Sequence, residues 1–71
     1  MKITTTQAKK ILTENYSFKQ FAFSMMITRM KTLYAKNPTD SVLVKSTDEI
    51  NKFLEQFSGV MGNDYAILTK L

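Results

Sequence analysis

Apolar residues recur along this chain at spacings of three and four more often than at two, and that rhythm predicts three helices. Ala8, Ile11, Leu12 and Tyr16 share one face of a first helix over about 5–15, with Lys9 and Lys10 pointing away. A second helix spans about 18–36. On it Phe18, Ala22, Phe23, Met25, Met26, Ile27, Met30, Leu33 and Tyr34 cover more than half of the circumference. Gln20, Ser24, Thr28, Lys31 and Thr32 form its polar strip, with Phe21 at the border. A third helix over about 47–58 follows from Ile50, Phe53, Leu54 and Phe57 at i, i+3, i+4 and i+7, with Gly59 as its left-handed terminator.

The pattern Ser/Thr-x-x-Gln/Glu marks a start for each helix: Thr4 to Gln7, Ser17 to Gln20 and Ser46 to Glu49. In such a box the hydroxyl accepts the amide three residues on, and the Gln/Glu side chain returns to the cap amide. Asn37-Pro38-Thr39-Asp40 closes the second helix, because a proline biases the residue before it away from helical geometry.

Two short runs read differently. Val42-Leu43-Val44-Lys45 is rich in β-branched residues, and Tyr65-Ala66-Ile67-Leu68-Thr69 is compact and apolar; both are expected to be strands. A strand, the third helix and a strand make a βαβ unit with parallel pairing and a right-handed crossover. Lys2-Ile3-Thr4 is a candidate third, edge strand. The expected fold is therefore α+β in the order α-α-β-α-β. Its long central helix packs on a two- or three-stranded sheet and on the third helix.

Length makes this one domain, residues 1–71, of which folding hides only about 60% of the surface exposed by the unfolded chain. Small domains compensate with disulfides, a metal or self-association. There is no cysteine, and no histidine to help build a zinc site, so helix packing or oligomerisation is left. The lack of cysteine fits a reducing cytoplasm. After Met1-Lys2 the chain turns polar, unlike a secretory leader, and its longest nearly apolar stretch, 21–27, is far short of a membrane span of about 20 residues. A soluble cytoplasmic protein is the expectation. The abundance of Lys, Thr, Ile and Asn suggests an AT-rich genome, as in a low-GC bacterium or a phage.

Missing histidine and cysteine also remove the commonest general base and the best thiol nucleophile, so catalysis is not expected and no cofactor is implied. Asp48 and Glu49 suit the positive start of the third helix. Asp40 and Asp64 suit turns; a magnesium site between them at the sheet end is a weak reading. Gly59-Val60-Met61-Gly62 lacks the glycine-rich run and the Gly-Lys-Ser/Thr of a phosphate loop, and it follows a helix instead of preceding one.

Binding is the remaining class. Arg29, the only arginine, falls inside the apolar arc of the second helix, near Met25 and Leu33. The ordinary explanation is a side chain snorkelling to water over the core. The sharper one is an interface arginine ringed by Met25, Leu33 and aromatics such as Phe18; arginine, methionine and aromatics are enriched where proteins meet. Met25, Met26, Met30 and Met61 either fill core gaps or line an adaptable groove.

The expected function is a small protein–protein interaction module, a regulator or inhibitor acting by occlusion, with a homodimer through the same surface also open. The alternative is a nucleic-acid-binding accessory protein. Residues 1–45 carry eight basic and two acidic side chains, a net +6, whereas residues 46–71 carry two basic and four acidic, a net −2. Lys9, Lys10, Lys19, Lys31 and Lys36 are the candidate phosphate contacts. Against a helix-turn-helix stand the short interval around Tyr16-Ser17 and a second helix too long and apolar for recognition.

Overall fold

A computed structural model describes residues 1–71, and all of its regular structure is helical. Its elements are α1 (Thr5–Thr13), α2 (Phe21–Lys36), α3 (Asp40–Phe57), a 3₁₀ turn (Ser58–Val60) and α4 (Asp64–Thr69). The first three pack on one another around a single apolar cluster, to which Met61 and the α4 residue Leu68 also contribute. No strand is present, so the expected α+β fold with its parallel sheet is overturned.

The box at Thr4 works as its residues require. The Thr4 hydroxyl accepts the Gln7 amide at 3.2 Å, and Gln7 Oε1 accepts the Thr4 amide at 2.8 Å. Ala8, Ile11 and Leu12 are then buried. Extended backbone at Glu14 ends α1, and the chain crosses to α2 with Phe18 buried and Tyr16 half-buried. Ser17 does not cap α2, which starts three residues later than its periodicity predicts. Gln20 occupies the cap, its Oε1 accepting the Phe23 amide at 2.7 Å.

Both expected strands are helical, for separate reasons. Thr39 caps α3 by accepting the Val42 amide at 3.2 Å, so Val42-Leu43-Val44-Lys45 is enrolled in a helix from its first turn. The inward-facing period then runs through Leu43, Thr47, Ile50 and Leu54, and this outweighs the β propensity of Val42 and Val44. Ser46 and Thr47 are consequently mid-helix and buried. The Thr47 hydroxyl donates back to the Leu43 carbonyl at 2.8 Å instead of capping anything. Once 42–45 is helical, residues 65–69 have no strand to pair with, and a lone strand leaves its backbone groups unbonded. They form α4, which buries Asp64 and Leu68, one turn apart on one face.

The third candidate strand, Lys2-Ile3-Thr4, is extended but lies along α3. Asn51 receives the Ile3 amide at 2.7 Å and donates to the Ile3 carbonyl at 3.0 Å, standing in for a neighbouring strand. Ile3 is thereby pressed into the core. Gly59 does not terminate α3 in the left-handed region. That conformation belongs to Gly62, whose φ of 50° lets the chain turn into α4.

Candidate partner-binding face

The buried row of α2 is Phe23, Ile27 and Met30, each at most 4% exposed. Phe23 is the hub of an aromatic series. Phe18 meets it edge-on at 4.9 Å between ring centroids, Phe53 packs against it at a tilt at 5.3 Å, and Phe57 lies tilted against Phe53 at 4.8 Å. Such pairs add about 0.5–1.5 kcal/mol each beyond the area they bury. Residues Phe23 and Phe53 touch while Pro38 lies in the connection, so α2 and α3 form an antiparallel hairpin.

The entry to α2 is held from α4. Asp64 is 1% exposed, and its two carboxylate oxygens accept the amides of Lys19 and Gln20, each at 2.8 Å. Those N–H groups lie just ahead of the helix, where its dipole favours a negative charge. Asp64 is thus a tertiary cap. With both of its oxygens bound to backbone and no sheet end to share with Asp40, the reading of a magnesium pair has no structural basis. No cluster of three or more possible metal ligands is present.

The opposite side of α2 is covered by nothing. Phe21 is 75% exposed, Met25 58% and Leu33 52%, and Arg29 lies exposed between the last two. The four occupy positions i, i+4, i+8 and i+12, which form a single ridge inclined across the helix surface. Arg29 takes no part in the side-chain hydrogen bonds of α2, which run from Thr28 to Ser24, from Thr32 to Thr28 and from Lys31 to Glu14. Beside the ridge, an open groove of about 420 Å³ separates α2 from α3. Arg29, Met30 and Leu33 line one wall and Ser46 and Glu49 the other.

Sequence reasoning brings Met25, Arg29 and Leu33 together on this face. Phe18 lies elsewhere: it is 8% exposed, packed against Phe23, and contributes to the core. The exposed aromatic is Phe21, missed because it borders the polar strip; its i+4 relation to Met25 is the signal that finds it. The four methionines also divide. Met30 and Met61 are buried, Met26 is half-buried, and Met25 alone of the four is on the surface.

The five candidate lysines do not form one unoccupied set. The half-buried Lys31 donates to the Glu14 carbonyl at 3.0 Å and to Asn15 Oδ1 at 3.4 Å, closing the end of α1. Lys10 donates to the Leu71 carbonyl at 3.0 Å. Lys9, Lys19 and Lys36 are exposed. Nearby, the Tyr16 hydroxyl donates to Glu14 Oε1 at 2.9 Å. This bond raises the Tyr16 pKa above its ordinary 10.0, with desolvation and the Glu14 charge adding in the same direction.

A second open groove, about 440 Å³, lies where the N-terminal segment meets α3. Lys2, Lys52, Asp48 and Glu55 line it together with Asn51 and Met1. It follows from the Ile3–Asn51 tether.

The fold and this face define a small helical domain whose α2 has an uncovered outer surface. Comparison of the chain with protein-family models, with curated proteins and with solved structures gives no match. No helix is long and apolar enough to cross a membrane.

Proposed function

We propose that this protein is a non-enzymatic protein–protein interaction module that regulates a partner by covering part of its surface, with the outer ridge of α2 as its contact. The observation that carries this reading is the ridge itself: Phe21, Met25 and Leu33 exposed in one row around an arginine with no partner in the fold. Each apolar side chain contributes about 1.5–3 kcal/mol when fully buried relative to exposed. Solvent gives no reason to keep three of them aligned. Arginine, methionine and an aromatic in one row are the residue types enriched at interface centres. The reading places the protein in the cytoplasm, which its cysteine-free composition supports.

The basic first half supports the nucleic-acid reading less well, because Lys10 and Lys31 are engaged within the fold. The test is a photo-crosslinking residue placed at Met25 and, separately, at Lys9, in cells that make the protein. A discrete polypeptide adduct from position 25, lost when Leu33→Glu is added, is the expected result. An adduct from position 9 that disappears with nuclease or raised salt would contradict it in favour of phosphate contacts.

A further inference from the structure

We infer that the occupant of the α2 outer face is an acidic amphipathic helix of another protein, with apolar side chains for Phe21 and Met25 and carboxylates for Arg29 and Lys36; this rests on reading that face as a docking surface. The argument is charge complementarity. Between Glu14 and Asp40 the chain carries no acidic side chain, and its charges there are Lys19, Arg29, Lys31 and Lys36. The helix α2 therefore presents cations only.

The helix period and the contacts of α2 place those cations. Phe23, Ile27 and Met30 mark its inward side. Lys31 belongs to the flank toward α1, where it donates to the Glu14 carbonyl. Lys36 is exposed on the outward side, about 20° around the helix from both Met25 and Arg29 at 100° per residue. The outer face is thus apolar over its first half, at Phe21 and Met25, and cationic over its second, at Arg29 and Lys36. Leu33 borders it where the groove with α3 begins. Glu49 lines that groove without a hydrogen bond to Arg29, so a carboxylate brought by a partner has no such bond to displace.

The two halves together select the occupant. A phosphate backbone answers the cations and leaves Met25 and Leu33 unburied. A second copy brings the same cations on its own α2, with no acid to meet them. An amphipathic helix with apolar and acidic side chains answers both halves, and helices of this kind are a recurring way of filling such surfaces. From Phe21 to Lys36 the face is about 22 Å long, which about four turns of a partner helix span. The net +6 of residues 1–45 draws an acidic partner toward this side of the chain.

The test is selection of random peptides of about 16 residues, displayed on phage, against the full chain. The selected sequences are expected to combine apolar residues at spacings of three and four with an excess of Asp and Glu over Lys and Arg. Their binding falls at least tenfold with Met25→Glu and at least tenfold with Arg29→Glu and Lys36→Glu combined. Lys9→Glu, on α1, changes it by less than twofold. Circular dichroism of each variant checks that helicity is unchanged. Selected peptides without an acidic excess, or bound equally well by the doubly reversed variant, would overturn the inference. So would a single-stranded RNA or duplex DNA oligonucleotide held through Arg29 and Lys36 without need of Met25, which assigns the face to phosphates. Peptides that need Met25 but show no acidic excess remove the acidic partner and leave the docking face standing. Peptides indifferent to Met25 as well, or a selection that enriches nothing, remove the docking face too.

Discussion

Two rows of α2 carry nearly the same chemistry and have opposite fates. Phe23, Ile27 and Met30 face α1 and α3 and are at most 4% exposed; Phe21, Met25 and Leu33 face solvent and are at least 52% exposed. The inner row satisfies what a 71-residue chain needs from its longest apolar helix, since α1, α3 and α4 offer no surface to cover the rest. What remains outside is left uncovered by the fold. The difference separates residues kept for stability from residues open to another use, and substitutions can test it site by site.

The largest effect belongs to the inner row. Phe23→Ala removes the hub of the aromatic series and leaves a cavity, with an expected loss of about 3–5 kcal/mol in urea unfolding. On a domain this small that is a large part of the total, about 0.05–0.15 kcal/mol per residue. A loss below ~1 kcal/mol would erase the distinction between the rows.

Next comes the cap that fixes where α2 begins. Asp64→Ala leaves the Lys19 and Gln20 amides without their acceptors, at an expected cost of about 2–3 kcal/mol. Hydrogen exchange at those two amides should accelerate more than at α1. Unchanged exchange would mean that the entry to α2 is held by something else. Thr4→Ala, which removes half of the α1 capping box, is smaller at about 1 kcal/mol and should fray α1 while leaving the α2–α3 hairpin intact.

The smallest effect concerns Tyr16. Its phenol is the proton donor to Glu14, so the neutral form is favoured in the folded chain. The stabilisation this provides is present below the ordinary tyrosine pKa and is lost as pH rises through the higher folded value. An absorbance titration of Glu14→Gln should show the Tyr16 midpoint moving down toward 10.0, because the charged acceptor is gone. A midpoint that stays put would show that the Glu14 bond is not the cause.

Periodicity disclosed α1, α2 and the apolar stripe of α3, because i, i+3 and i+4 repeats report burial directly. It also located Met25, Arg29 and Leu33 on one face. Local chemistry misled where a neighbour had already decided the backbone. Ser46-Thr47-Asp48-Glu49 has the letters of a helix start, yet Thr39 had capped the same helix seven residues earlier. Val42-Leu43-Val44-Lys45 reads as a strand only if Leu43 is cut off from Thr47 and Ile50. Residues 65–69 lost their strand character along with that partner. Asp64 was hidden altogether, since its role depends on Lys19 and Gln20, more than forty residues away. Phe21 and Phe18 exchanged roles because the start of α2 moved by three residues.

A docking face on α2 requires that its outer row not be needed to hold the fold together. Urea unfolding of the triple variant Phe21→Gln, Met25→Gln, Leu33→Gln, at a concentration of a few micromolar, measures this without intermediary. The expected stability lies within about 1 kcal/mol of the parent, since surface substitutions away from special features stay near ±0.5 kcal/mol each. A loss approaching that of Phe23→Ala would show the row to be part of the core and would contradict the docking face.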